Sequence, residues 1–179
     1  MRRAWEAFAG RHGLDAEEVN RLAHGRPSRE TVRELAPADH ERETGLVEAA
    51  ETTDIEGVVA LPGAGALLRS DRPKAIVTSC SDALAAVRLR AAGLPSPDVV
   101  ISADAVTRGK PDPEAFLLGA QALGVAPADC VVLEDAPAGI AAGRAAGCYV
   151  IALRTTHADA ELAGADAIVD DLTQLPIAG

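Results

Sequence analysis

In the first third of the chain, apolar residues recur at three- and four-residue intervals, the spacing of amphipathic helices. Trp5 and Phe8 lie on one face of the first predicted helix. Val19 belongs to a second helix, which Asp15 opens as an N-cap in a variant capping box with Glu18. A third helix is predicted to begin at SRETV, and the segment PADHERETGLVEAAE supplies a fourth. The pattern therefore predicts a small helical bundle.

The pattern changes after the segment LPGAG, where short β-branched runs begin to alternate with helical stretches. The predicted strands are AIVTS, VVISA, CVVLE, YVIAL and DAIVD, and the helices between them are DALAAVRLRAAG, PEAFLLGAQALG and AGIAAGRAAG. Such alternation is typical of βαβ units and a parallel sheet. We therefore predict a helical domain over residues 1–61 and an α/β domain over residues 62–179.

Composition narrows the classes of protein that this pattern allows. The chain is 48% hydrophobic but only 2% aromatic, which favours a core of small aliphatic residues between helices and a sheet. A formal net charge of −10 argues against a nucleic-acid partner, because binding to the phosphate backbone needs many basic residues on one face. Three widely spaced cysteines without a CxxC pair favour a reduced chain without a structural zinc.

No apolar stretch reaches the roughly 18 residues that span a bilayer, and the first residues lack the apolar segment of a signal peptide. We therefore expect no membrane partner and a cytoplasmic location.

The residues that end each predicted strand are the candidates for chemistry, because ligands of open parallel sheets bind outside the carboxyl ends of the strands. The first strand ends in VTSCSD, where Thr78, Ser79 and Ser81 supply hydroxyl groups next to a helix N-terminus. This arrangement suits an anion. An alternative is that Ser81 or Asp82 only caps the helix.

Two further strand ends carry charged residues. In RGKPDPEAF, prolines on both sides of Asp112 restrict the backbone that follows Lys110. This restriction favours a fixed position for the charge of Lys110. The alternative is that the Lys110 side chain is simply solvated. In VVLEDAPAG, Glu134 and Asp135 repel each other unless a cation lies beside them, and Mg²⁺ prefers such oxygen ligands. The alternative is that Asp135 caps the next helix and Glu134 is solvated. Together the strand ends predict a phosphate held by Ser79 and Lys110 beside a divalent metal.

These segments, in this order, resemble motifs of the haloacid dehalogenase superfamily of phosphohydrolases, and in particular its members with a helical cap that act on small sugar or polyol phosphates. VTSCSD is similar to the second motif of the family, RGKPDPEAF to the third and VLEDAPAGIAAGRAAG to the fourth. The segments RAWEAFAGRHGL and HGRPSRETVREL resemble cap helices. The resemblance implies a three-layer, Rossmann-like parallel sheet with a small N-terminal helical cap.

The resemblance also implies roles for particular residues. Thr78, Ser79 and Cys80 would bind the transferring phosphate, and Lys110 would neutralise it, so that Lys110 and Ser79 are the candidate catalytic residues. The implied metal is Mg²⁺, held by Asp135 and Glu134 directly or through water. On the cap, the region that meets the leaving group of the substrate would contain His24, Gly25, Arg26 and Arg29, although either arginine can also be a helix-surface charge.

The first motif of the family, a strand ending in D-x-D-x-T, is not found, because the 179 residues contain no D-x-D at all. The first aspartate of that motif is the family's nucleophile and the second its general acid/base. We expect this central strand to lie upstream of Met1, which leaves a gap between the strands that end near Ser79 and at Glu134. Turnover by the family mechanism is then not available to these residues alone.

Three functions remain open on the sequence. The first is a Mg²⁺-dependent phosphatase of a small sugar or polyol phosphate, which the scarcity of aromatic residues for nucleobase stacking mildly favours. The second is a catalytically inactive relative that binds phosphate or metal or serves as an interaction protein. The third is a phosphomutase. His157 resembles a common family feature, but we expect it to be a loop or helix-cap residue.

Overall fold

Four helices come first in the computed structural model, which describes residues 2–175. They are α1 (Arg2–His12), α2 (Ala16–Ala23), α3 (Ser28–Leu35) and α4 (His40–Thr53). The rings of Trp5 and Phe8 meet edge to face with centroids 5.6 Å apart, and they share a core with Val19 and other buried aliphatic residues. The Asp15 carboxylate accepts a hydrogen bond of 2.8 Å from the backbone N–H of Glu18. The predicted helical bundle is therefore confirmed, and so is Asp15 as the N-cap of α2.

Helices and strands alternate through the rest of the chain, and all five predicted strands are present. The elements are α5 (Ala64–Arg69), β1 (Ala75–Val77), α6 (Asp82–Ala91), β2 (Val99–Ile101), α7 (Glu114–Leu123), β3 (Val131–Glu134), α8 (Pro137–Ala145), β4 (Tyr149–Leu153), α9 (Asp159–Leu162) and β5 (Ala167–Val169). The short helices α5 and α9 were not predicted from the periodicity. No helix within residues 2–175 is both long and apolar enough to cross a membrane.

The parallel strands form two separate sheets. β1 pairs with β2, and β4 pairs with β3 on one side and β5 on the other, all in parallel. Within residues 2–175, no hydrogen-bonded pairing joins β1 to β3. A groove of about 630 Å³, lined by residues of both strands and by Phe116 of α7, lies there instead. The α/β class with parallel strands is confirmed, and the sheet is interrupted at the predicted place.

The connection between the helical bundle and the α/β part runs from the end of α4 to the start of α5. Gly63 has a φ of +85°, and a Cβ atom at this position would lie 2.7 Å from the backbone of Leu172. The turn therefore requires glycine. A domain boundary between residues 61 and 62 falls in this connection and stays a prediction, and the last four residues of the predicted 62–179 domain lie outside the described residues.

Asp166, which directly precedes β5, connects that strand to β4 and to α8. Its carboxylate accepts hydrogen bonds from the backbone N–H of Val150 in β4 at 2.8 Å and from the Arg144 guanidinium of α8 at 2.7 Å. The bond from Val150 and the charge of Arg144 together hold the pKa of Asp166 below its usual range. The folded state therefore binds a proton here less readily than the unfolded state does.

We expect Asp166→Asn to lower the free energy of unfolding most at pH values above about 4, where the unfolded-state carboxyl is ionised. The difference from the wild type should shrink as the pH falls through the depressed pKa, because the wild-type carboxylate is then protonated as well. Urea unfolding at a series of pH values measures it, with Asp98→Asn as the control for loss of one exposed charge. A difference that stays constant down to pH 2 would contradict the assigned contacts.

Candidate functional site

A cavity of about 370 Å³ lies where the strand ends meet the helical bundle. Its walls include the residues that follow β1 and β3, the loop between α2 and α3, and the ends of α1 and α4. All but one of the predicted site residues line it: His24, Gly25, Arg26, Thr78, Ser79, Cys80, Lys110, Glu134 and Asp135. The exception is Arg29. Residues drawn from three strand ends and from the helical bundle are thus brought to one place.

Lys110 and Glu134 form a buried ion pair at the floor of the cavity. Their side chains are only 8% and 9% exposed, so neither is a solvated charge. The Lys110 ammonium also donates to the carbonyl of Val77 at 3.2 Å and lies 4.8 Å from the centroid of the Phe116 ring. Val77 ends β1 and Glu134 ends β3, so that Lys110 joins the two sheets across the groove between them.

Asp135 lies at the rim of the cavity, where several donors hold its carboxylate. Its Oδ2 atom accepts hydrogen bonds from the hydroxyls of Thr155 at 3.1 Å and Thr156 at 3.0 Å, and His24 Nε2 lies 3.8 Å away. Burial alone would raise the pKa of Asp135, but the nearby His24 imidazole and the hydrogen bonds from the two threonines outweigh it and lower the pKa to about 2. Asp135 does not cap α8, whose N-cap is Ala136.

Two histidines lie next to Asp135, and of these His24 lines the cavity. The carboxylate of Asp135 raises the pKa of His24, although burial opposes the shift. His157 Nδ1 lies 2.9 Å from the backbone carbonyl of Asp135, and the two imidazole rings meet edge to face with centroids 5.2 Å apart. His157 therefore positions the loop that carries Asp135, which agrees with the loop role expected from the sequence.

Ser79 faces the loop between α2 and α3. Its hydroxyl donates to the carbonyl of Gly25 at 2.8 Å, and Gly25 itself has a φ of +73° and approaches Ala136 closely. The neighbouring hydroxyls have local partners, because Thr78 Oγ1 accepts from the N–H of Cys80 and Ser81 caps α6. Of the three hydroxyls, only that of Ser79 reaches across to the helical bundle, so an anion in the cavity would compete with the Gly25 carbonyl for it.

The two arginines of the predicted substrate region have different positions. Arg26 lines the cavity and forms an ion pair of 2.9 Å with Glu34. Arg29 lies outside the cavity lining and donates to the backbone carbonyl of Val106 at 3.0 Å. Glu30 accepts a hydrogen bond from the N–H of Gly109 beside it. Arg29 and Glu30 thus fasten α3 to the segment that precedes Lys110.

The carboxylates of Glu134 and Asp135 offer the predicted Mg²⁺ part of a ligand shell. The described residues contain no group of three or more His, Cys, Asp or Glu side chains arranged for a metal ion. Glu134 is engaged by Lys110, whereas Oδ1 of Asp135 accepts no hydrogen bond from residues 2–175. Mg²⁺ commonly keeps several waters and takes only one or two carboxylates together with substrate phosphate. The donors present fit such a partly hydrated ion with Asp135 as its main protein ligand.

Several cavity residues were missed by the sequence analysis, namely Trp5, Ser28, Glu51, Leu61, Arg88 and Thr155. Trp5 was assigned to the core alone, and it also contributes to the cavity wall. Glu51 could have been found from the sequence, because it is a charged residue at a core-facing position of α4, where it is 3% exposed. Arg88 carried no comparable signal, because basic residues are common on helix surfaces.

The known proteins that this chain resembles are described as hydrolases and phosphatases. A family model described as haloacid dehalogenase-like hydrolase matches residues 2–147. Hexitol phosphatase A of Escherichia coli K12 is 45% identical over 185 residues, covering 99% of this chain and 86% of that protein. Validoxylamine A 7'-phosphate phosphatase of Streptomyces hygroscopicus subsp. limoneus is 37% identical over 185 residues. The alignment covers 97% of this chain and 87% of that protein.

Among solved structures, β-phosphoglucomutase from Clostridium difficile superposes with a TM-score of 0.83. The alignment covers 97% of this chain and 84% of that one, at 23% sequence identity. At this identity the similarity concerns the fold alone.

Proposed function

Because this chain belongs to the haloacid dehalogenase-like hydrolases, we propose that it is a Mg²⁺-dependent phosphatase acting on the phosphate monoester of a small sugar or polyol. The observation that carries the proposal is the presence of Ser79, Lys110 and Asp135 in the lining of one cavity. The 45% identity to a hexitol phosphatase supports this class of substrate. A cavity of about 370 Å³ is also of a size for a small ligand.

The phosphate group would be bound by Ser79 and Lys110. An ammonium group has three N–H donors, and the described residues use two of those of Lys110, on Val77 and Glu134. The third donor remains for a phosphate oxygen. The Ser79 hydroxyl, which now donates to Gly25, would turn to a second oxygen, and backbone N–H groups near Cys80 would complete the cradle.

Asp135, with Glu134 beside it, would hold the Mg²⁺ ion. The low pKa of Asp135, about 2, keeps the side chain ionised at neutral pH, as a metal ligand must be. When bound, the ion supplies Lewis acidity that polarises a phosphoryl oxygen. His24, Gly25 and Arg26 face the same cavity from the helical bundle and would meet the leaving group. Arg29 supports them by holding α3 in place.

A second candidate function is a protein that binds phosphate esters without turning them over. The observation that favours it is the absence of any D-x-D segment from the 179 residues, since such a segment would supply the nucleophile and the general acid/base. The phosphate and metal ligands described above serve this function equally well.

Phosphate release from p-nitrophenyl phosphate and from sorbitol 6-phosphate, with Mg²⁺ and with EDTA, tests the proposal on the purified chain. The proposal requires Mg²⁺-dependent turnover with a nucleophile other than a D-x-D aspartate, and Lys110→Ala should abolish this turnover because the ammonium that neutralises the phosphate is removed. Lys74→Ala is the matched control, since Lys74 is the only other lysine in the sequence and lies outside the cavity. Binding of phosphate without turnover would favour the second function, and an isomerised product would indicate a mutase.

A further inference from the structure

Glu51 and Arg88 form an ion pair in the wall of the cavity, and neither residue is among the predicted phosphate or metal ligands. Glu51 belongs to α4 of the helical bundle, and Arg88 belongs to α6 of the α/β part. Arg88 Nη2 lies 3.2 Å from Glu51 Oε1, while Arg88 Nη1 lies 3.2 Å from the sulfur of Cys80. Ser28 approaches Glu51 Oε2 at 3.4 Å. All four residues line the cavity, so the pair borders the space that a ligand would fill.

Both members of the pair have hydrogen-bonding capacity to spare. A carboxylate can accept about four hydrogen bonds, and the described residues give Glu51 two, one of them long. A guanidinium has five donors, of which the described residues use two of those of Arg88, one on a weakly accepting sulfur. The Glu51 side chain is 3% exposed and that of Arg88 is 28% exposed. A buried carboxylate with spare acceptor sites is costly unless another donor completes its shell.

The position of the pair relates it to the phosphate end of the cavity. Cys80, which contacts Arg88, follows Ser79 directly in the chain, so the pair lies beside the proposed phosphate cradle and towards the helical bundle. A ligand whose phosphate is bound by Ser79 would bring its next atoms past Glu51 and Arg88. Hydroxyl groups suit this wall because each can donate to a carboxylate and accept from a guanidinium.

The charge of the pair also selects against a second anionic group. The guanidinium is already matched by the adjoining carboxylate, so no net positive charge faces the ligand. A second phosphate would lose much of its solvation and meet the negative charge of Glu51 at close range. A neutral polyhydroxy chain meets neither cost.

Resting on the proposed function, we propose that the Glu51–Arg88 pair is a specificity-determining element that binds ligand hydroxyl groups and excludes a second phosphate. The preferred ligand is then a polyhydroxy monophosphate and not a bisphosphate. Glu51 and Arg88 contribute to affinity for the carbon chain of the ligand, and Ser79 and Lys110 contribute to affinity for its phosphate.

Binding of three probes to the full chain tests this proposal: sorbitol 6-phosphate, fructose 1,6-bisphosphate and inorganic phosphate. Calorimetry measures it without Mg²⁺, so that Mg²⁺-dependent turnover does not consume the probes. In Glu51→Gln, which keeps the size of the side chain and removes its charge, we expect sorbitol 6-phosphate to bind about 10-fold more weakly. Fructose 1,6-bisphosphate should bind more tightly than to the wild type. Affinity for inorganic phosphate should not change. A general loss of structure would instead weaken the binding of all three probes.

Glu48→Gln is the matched control, because Glu48 lies one turn earlier on α4 and outside the cavity lining, and it should leave all three affinities unchanged. Should Glu51→Gln fail to fold, Arg88→Lys keeps the charge but loses the planar fork, and it should weaken sorbitol 6-phosphate alone. The inference would be overturned if these variants had the same ratio of affinities for sorbitol 6-phosphate and fructose 1,6-bisphosphate as the wild type. Failure of the wild type to bind any of the three probes would instead count against the proposed function.

Discussion

Replacing Lys110 by methionine is expected to lower the free energy of unfolding by about 3–5 kcal/mol, because it leaves a buried carboxylate without its counter-charge. Glu134 is 9% exposed and has Lys110 as its ion-pair partner. The change also removes the link from Lys110 to Val77, and with it the connection between the two sheets. Phosphate affinity should disappear at the same time. Urea unfolding and calorimetric titration with inorganic phosphate measure the two effects separately.

The double variant Lys110→Met with Glu134→Leu distinguishes the two effects. Replacing both members of a buried pair by apolar residues is often neutral for stability. We therefore expect the double variant to recover most of the lost free energy of unfolding and none of the phosphate affinity. If the single variant were as stable as the wild type, the ion pair would not be buried as described.

The second large effect is expected for Gly139→Ala in α8. A Cβ atom at this position would lie 2.0 Å from Cδ of Glu134 and 2.2 Å from its Oε2. The Glu134 carboxylate would have to move, and it cannot do so without disturbing its pair with Lys110. Overpacking of this kind costs about 1–3 kcal/mol, to which the strained ion pair adds. Thermal and urea unfolding would show the loss, and Mg²⁺ affinity should fall because Asp135 is the next residue after Glu134.

Gly45→Ala is the matched control for this substitution. Gly45 lies inside α4, and a Cβ atom there would have no neighbour within 4 Å. Alanine is about 1 kcal/mol more favourable than glycine within a helix, so this variant should be slightly more stable than the wild type. If Gly139→Ala behaved like Gly45→Ala, the close approach of α8 to Glu134 would be refuted.

The sequence was sufficient to predict the helices other than α5 and α9, the five strands and much of the candidate site. Apolar residues at helical spacing predicted the four N-terminal helices, and the β-branched runs predicted all five strands. Ser79, Lys110 and Asp135 were expected together because the carboxyl ends of parallel strands meet at one edge of a sheet. Their presence in one cavity agrees with this expectation, while their roles in chemistry remain proposals.

The contacts that sequence could not supply depend on how helices pack against one another. Glu51 and Arg88 are 37 positions apart, and they meet because α4 of the helical bundle lies against α6 of the α/β part. Arg26 and Arg29 are close in sequence, but only Arg26 faces the cavity, since Arg29 is turned to the carbonyl of Val106. The threonines that hold Asp135 follow β4, and no local pattern connects them to that carboxylate.

The interruption between β1 and β3 affects how the amides of this chain exchange with solvent deuterium. In a parallel strand, alternate backbone N–H groups point to opposite neighbours, so part of the amides of β1 and β3 point into the groove and not to a partner strand. Within residues 2–175, β4 is the strand with partners on both sides. We therefore expect the slowest exchange in β4, and we expect β1 and β3 to exchange as edge strands do.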